Sequence, residues 1–119
     1  MIITLEPDPE VELPSEITAM DLLILLNELR MAGAEAISIN DQRIIHNSYV
    51  AYMGVRHIGV NRIRIIPPFT VKAIGNPTHL ASSIEQRHHG FVDMMDLEGI
   101  TVTVVRDENI TIERIYSVI

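Results

Sequence analysis

Five histidines, sixteen carboxylates and a few serines are the side chains of this chain that could do metal, acid–base or nucleophilic chemistry. A metal centre needs three or four ligands converging on one point. His79, His88 and His89 fall in one helical region, with Glu85 three and four residues before the last two. But adjacent residues on a helix point in different directions, and His79 lies a further two turns away. Solvated histidines near a helix end, where they suit the dipole, are the simpler reading. His46 and His57 are isolated. Asp93 and Asp96, at i and i+3, and the adjacent Asp107-Glu108 are paired carboxylates. Such pairs do chemistry when burial or crowding separates their pKa values. These lie beside glycine or other charges, in segments that read as solvated surface. Ser82-Ser83 sit within a helix, and no serine occupies a G-x-S-x-G elbow. The reading is therefore of a non-enzyme, with no catalytic residue, no metal site and no cofactor.

Two polar patches carry more interest. Asn40-Asp41-Gln42-Arg43 reads as a hairpin turn, yet Gln42 and Arg43 bring more hydrogen-bonding capacity than a turn requires. Exposed hairpin tips often carry binding, so these four residues are a candidate recognition surface. Arg43 has an alternative use, folding back on a carboxylate such as Glu35. Gly75-Asn76-Pro77 opens a helix directly after a strand, an arrangement that can hold an anion. Lys72, Gly75 and Asn76 are the candidate anion site, and Arg43 is a further cation for it. Ordinary helix capping competes with that reading: Pro77 lacks a donor, and there is no G-x-G-x-x-G or Walker motif.

A chain of 119 residues is one domain in expectation, residues 1–119, and is long enough to bury a core without disulfide or metal. Apolar residues make up 47% of it and aromatic ones only 4%, so that core must be built from Ile, Val, Leu and Met. The formal charge of −7 and the scattered basic residues argue against nucleic-acid binding, which needs clustered cations to displace phosphate counterions. With no cysteine, thiol catalysis and cysteine-ligated zinc are excluded. No stretch reaches the roughly 18–20 apolar residues of a membrane span, and no signal peptide opens the chain.

The elements that must position these residues follow from periodicity and punctuation. Ile2-Ile3-Thr4-Leu5 reads as a strand, and a strand beginning so early suggests that Met1 marks a cut in a longer protein. Pro7, Pro9 and Pro14 hold residues 6–16 out of helix and sheet. Thr18 and Asp21 have capping-box spacing. Leu22, Leu25, Leu26 and Leu29 recur at helical intervals, which predicts a helix over 19–32 ended by Gly33. Leu23 and Ile24 widen its apolar face, so that it should lie flat on a sheet. Ala36-Ile37-Ser38-Ile39 turns at Asn40-Asp41 into Arg43-Ile44-Ile45, since Asn and Asp tolerate positive φ. A further extended stretch is expected at 48–53. Ile58-Gly59-Val60 and Ile63-Arg64-Ile65-Ile66 make a second hairpin about Asn61-Arg62, ended by Pro67-Pro68. Strand 69–74 then leads into a helix capped by Asn76, with Pro77 at its first position and Leu80, Ala81 and Ile84 inward. Gly90 breaks that helix, and 91–98 forms another, packing Phe91 with Met94 and Met95 or Leu97. Ile100-Thr101-Val102-Thr103-Val104 is a strand, turning at 107–109 into a last one at 110–112. The sum is an α+β domain: a mainly antiparallel, or mixed, sheet with helices packed on one face, in the manner of an elaborated ferredoxin-like fold. The pattern leaves strand order open.

Three segments carry a family likeness: residues 27–44, which include Leu29-Arg30-Met31-Ala32-Gly33-Ala34-Glu35 and Asn40-Asp41-Gln42-Arg43; then Pro67-Pro68-Phe69-Thr70-Val71-Lys72-Ala73-Ile74-Gly75-Asn76-Pro77; then Gly99-Ile100-Thr101-Val102. In their order and spacing the chain resembles the bacterial YlxX/YlxW-like family, domain of unknown function 881. That family usually has Asn-Gly-Gln-Arg at the first turn, where Asp41 replaces the glycine, and Asn-Gly at the second, where Asn61-Arg62 stands. The resemblance implies a parent protein with an N-terminal membrane anchor and a coiled coil, the domain lying on the extracytoplasmic face of the membrane. It also implies gene neighbours in cell division or sporulation, a protein partner and self-association. Membrane contact would come only through the anchor of the parent chain. The reading is thus a non-enzymatic interaction or structural domain of the cell envelope, with a small-molecule or anion-binding sensor as the alternative.

Overall fold

The computed structural model describes residues 1–11, 16–45, 50–52, 58–86, 90–107 and 109–112. The expected features at Pro14, His46, His57, His88, His89 and Glu108 lie outside these, as do the ends of the stretch expected at 48–53.

Helix α1 (Ala19–Met31) begins where its capping residues say it should. Thr18 Oγ1 accepts from the Asp21 amide at 3.0 Å, and Asp21 Oδ2 accepts from the Thr18 amide at 2.9 Å. Aspartate thus completes the reciprocal box usually closed by Glu or Gln. Gly33, at φ 92°, releases the chain beyond the helix in a conformation that a Cβ would strain. Leu22, Leu25, Leu26 and Leu29 are buried, as the spacing requires. The apolar face is narrower than expected, because Leu23 and Ile24 remain exposed. At about 100° per residue they fall on the flank and far side of the leucine stripe, beyond what a sheet can cover.

The strands are β1 (Ile2–Pro7), β2 (Ala36–Ile39), β3 (Gln42–Ile44), β4 (Val50–Tyr52), β5 (Ile58–Val60), β6 (Ile63–Ile65), β7 (Phe69–Ile74) and β8 (Ile100–Val105), with α2 (Pro77–Ile84) and α3 (Phe91–Leu97) between the last two. The main sheet has the order β3-β2-β7-β1-β8, and a second sheet the order β4-β5-β6. All pairings among the described residues are antiparallel. Because β1 and β2 each pair antiparallel with β7 between them, they run parallel to one another, joined through α1. By the same logic β7 and β8 run parallel with β1 between them, joined through α2 and α3. Two interleaved split βαβ units of this kind are the ferredoxin-like arrangement. The elaborations are β3, added by a hairpin, and the β4–β6 meander inserted before β7.

Side chains on one face of the main sheet fill the core. Ile3, Leu5, Ile37, Ile39, Phe69, Val71 and Ala73 are buried there, with the inward residues of all three helices and with Ile58, Val60 and Ile65 of the second sheet. In α3 this takes Phe91 and Met95, leaving Met94 and Leu97 outside. The strand expected at 110–112 does not form. Just beyond β8, Asp107 Oδ1 accepts from the Asn109 amide at 2.9 Å. Ile110 instead lines a hollow of about 140 Å³ with Met1, Gly75 and Pro77.

Truncating the leucine stripe should separate the two sides of α1. Leu25→Ala removes a fully buried side chain and should lower unfolding free energy by about 2–5 kcal/mol. Ile24→Ala, on the exposed side, should change it by no more than about 0.5 kcal/mol. Urea denaturation of the two variants, side by side, measures the contrast.

Candidate functional site

Strand register brings together residues that the sequence keeps far apart. Ser38 lies opposite Arg43 on one side and Lys72 on the other, and Lys72 lies opposite Ile2. Directly paired residues share a face, so Arg43, Ser38 and Lys72 form a row on the face away from the helices. Two interstrand spacings separate the outer pair, about 10 Å between their Cα atoms. Asp41, in the β2–β3 turn, carries its carboxylate to 3.5 Å from Lys72 Nζ. The Asp41 side chain is 85% exposed and that of Lys72 31%, so this ion pair contributes at most about 1 kcal/mol. Ser38 is only 2% exposed.

The four residues read as a recognition surface divide between tasks. Asn40 (φ 46°) and Asp41 (φ 67°) take the paired left-handed conformations of a type I′ turn. Asn40 is a brace: its Oδ1 accepts from the Thr70 amide at 2.7 Å, and its own amide donates to the Thr70 carbonyl at 2.9 Å. Its Nδ2 donates to Ile66 O at 3.4 Å. Gln42 pairs opposite Ile39 and so belongs to the helix-facing side. Asp41 and Arg43 join Lys72 on the outer face. A second I′ turn, Asn61 (φ 52°) and Arg62 (φ 68°), repeats the device: Asn61 Nδ2 donates to Arg43 O at 2.8 Å, tying the small sheet to β3.

The residues read as an anion site point their polar groups to different places. Lys72 faces outward to Asp41. Asn76 Oδ1 accepts from the amides of Thr78 and His79 at 3.0 and 3.2 Å, capping α2. Gly75 serves a close approach, since a Cβ there would meet Gly33 O and Leu80 Cδ1 at 3.3 Å. The hollow beside it holds the Met1 ammonium, which donates to Ala73 O at 2.9 Å and Asp107 O at 3.3 Å. Burial pushes the pKa of that amine down, against a smaller opposing pull from the Asp107 carboxylate.

Among the described residues no group of three or more His or carboxylate side chains could hold a metal ion. His79 is exposed on α2, Asp93 and Asp96 are exposed on α3, and Ser83 donates to Leu80 O at 2.7 Å. An apolar hollow of about 290 Å³ lies between the sheets, lined by Pro7, Ile17, Thr18, Ile58, Pro67 and Phe69 with Glu16 as its charged member. It falls just below the usual size range of ligand pockets. No helix among the described residues is long and apolar enough to cross a membrane. Ser38 is not singled out by the sequence, and Asn61 is read there only as a turn residue; the signal that could have found Ser38 is its place at the centre of an alternating strand, between apolar neighbours.

Asn40→Gly keeps the positive φ but removes the brace, and should lower unfolding free energy by about 1–2 kcal/mol. Asp41→Gly relieves the left-handed strain and removes only an exposed pair, so stability should hold or rise by up to about 1 kcal/mol. Thermal unfolding of the two variants separates the structural residue of this turn from the one available for recognition.

Comparison with known proteins agrees with the likeness seen in the sequence. The family model described as "Bacterial protein of unknown function (DUF881)" matches residues 1–118. UPF0749 protein YlxW of Bacillus subtilis (strain 168) is 33% identical over 91 residues, which are 76% of this chain and 38% of that protein. The chain thus spans well under half of this curated relative. A crystal structure of an uncharacterized conserved protein from Mycobacterium tuberculosis superposes with a TM-score of 0.66 at 31% identity, covering 86% of this chain and 69% of the other. The chain belongs to the YlxW-like bacterial family of unknown function, DUF881.

Proposed function

We propose that this chain is a non-enzymatic protein-interaction domain of a bacterial envelope protein, held outside the membrane by a longer parent and connected with cell division or sporulation. The observation that carries the interaction reading is a second apolar stripe on α1. Met20, Ile24 and Met31 lie on the side opposite the buried leucines and are 62%, 39% and 83% exposed, with Leu23 on their flank. A helix that packs one apolar face needs no other for its own fold, and its far side is normally polar. Exposed apolar side chains gathered on one side of a helix mark surfaces that meet a partner, and here Asn27 and Glu28 separate Met31 from the other three. The envelope setting and the division or sporulation link rest on the family resemblance.

A photo-crosslinking amino acid placed at position 24 or 31 of the full-length parent protein, in bacterial cells, tests the reading. Discrete adducts are expected from both positions and none from position 96 on the exposed face of α3. If positions 24 and 31 give no adduct, the interaction reading fails.

A further inference from the structure

We propose that the free edge of β8 pairs with the β8 edge of a second copy of this chain, antiparallel and about a two-fold axis, so that two five-stranded sheets become one. Among the described residues nothing pairs with the outer side of β8. Hydrogen bonds fix which of its backbone groups point there. The Met1 ammonium donates to Ala73 O and the Ala73 amide donates to Met1 O, both at 2.9 Å. By alternation along the ladder, Ile3 and Leu5 turn their backbone groups to β7, while Ile2, Thr4 and Glu6 turn theirs to β8. Thr4 is paired with Thr103 and Glu6 with Thr101, and one step further the Asp8 amide donates to Gly99 O at 2.8 Å. The N–H and C=O groups of Val102 and Val104 are therefore aimed out of the sheet edge.

Proteins guard such an edge with a short strand, a lysine, a proline or a bulge. The opposite edge is guarded: β3 has three residues, and Asn61 Nδ2 ties its Arg43 carbonyl to the small sheet. β8 has six residues, Ile100-Thr101-Val102-Thr103-Val104-Val105, all β-branched and none charged. Antiparallel strands set hydrogen-bonded residues opposite hydrogen-bonded residues, which leaves a two-fold pairing few registers. Val102 opposite Val102 of the second copy places Ile100 opposite Val104 and Thr101 opposite Thr103. The inward apolar row and the outward threonine row then both continue across the junction. This register also brings Arg106 of each copy to Glu98 of the other. Both are exposed, and neither has an ion-pair partner among the described residues. The next register would set Ile100 against Arg106 and lose that pair. Helix α3 packs on β8, and Met94, 49% exposed, shares the flank of α3 that carries Glu98, so the pairing covers it as well. Asp96 lies on the other flank. A two-fold contact of this kind closes at two copies. One strand edge is a small interface and each copy carries a charge of −7, so the association is weak. The α1 stripe takes no part in it.

Sedimentation equilibrium of the 119-residue chain, with isotope-filtered nuclear Overhauser spectra of a half-labelled sample, tests the pairing. A monomer–dimer equilibrium is expected between about 10 μM and about 1 mM, with contacts between copies linking Ile100 to Val104. Arg106→Glu should weaken the dimer roughly threefold to thirtyfold, because it alters both symmetric ends, and Glu98→Arg should do the same. Combining the two reversals should restore it. Val104→Pro removes an outward N–H and no bond to β1, and should abolish dimerisation. If that variant does not fold, the charge reversals decide. A chain monomeric across that whole range, or a double reversal as weak as the single ones, would overturn the pairing. So would a dimer whose contacts run through Met20 and Ile24 of α1, an outcome that leaves the interaction reading above standing.

Discussion

Everything in this molecule hangs on β7 lying between β1 and β2. Val71 is paired with both Ile3 and Ile39, and Ala73 with Ile37, so one inward row runs unbroken across three strands. Side chains alternate with a period of two, and a slip of one residue would turn Thr70, Lys72 and Ile74 into the core and expel Phe69, Val71 and Ala73. The cost of burying Lys72 while exposing Phe69 makes this register strongly specified. The two crossover connections follow from it. Chain leaving β1 must travel through α1 to reach β2, and chain leaving β7 must travel through α2 and α3 to reach β8. Both crossings cover the same face, which concentrates the apolar side chains in a single core.

The same register creates the outer face and its chemistry. Ser38 stands between Arg43 and Lys72 because β2 stands between β3 and β7. No local motif announces that row. Two asparagines lock its surroundings: Asn40 ties the first turn to Thr70 and Ile66, and Asn61 ties the second turn to Arg43. Each combines a left-handed backbone, which Asn adopts at low cost, with a side chain that reaches a neighbouring strand. Between these ties, among the described residues, the Asp41 side chain makes an exposed ion pair with Lys72.

Much of this could be read from the chain before any coordinates. The capping pair Thr18 and Asp21, the stop at Gly33, the turn at Asn40-Asp41 and the start at Asn76-Pro77 are local signals, each with a local physical cause, and they placed α1, the first hairpin and α2. The family likeness was legible in the same segments. What failed locally had a tertiary cause. Leu23 and Ile24 look like core because they are apolar, but a helix on a sheet can bury only one arc of its circumference. Residues 110–112 look like a strand because they alternate, but Ile110 lines the hollow beside Met1 and Gly75 instead. Lys72 and Asn76, four residues apart, look like one site; strand alternation sends the lysine to the outer face while the helix amides engage the asparagine. Ser38 and Arg43 pair within the first hairpin, but Lys72 joins them only through a strand more than 30 residues further along, a pairing that no local window contains.

The measurement that bears most directly on this account is the strand register itself, read from interstrand nuclear Overhauser contacts in isotopically labelled protein. The account predicts backbone contacts linking Ser38 with Lys72 and Ser38 with Arg43, alongside Val71 with both Ile3 and Ile39. Contacts linking Ser38 instead with Val71 or Ala73 would contradict it, because that one-residue shift turns Lys72 toward the core and Val71 out of it.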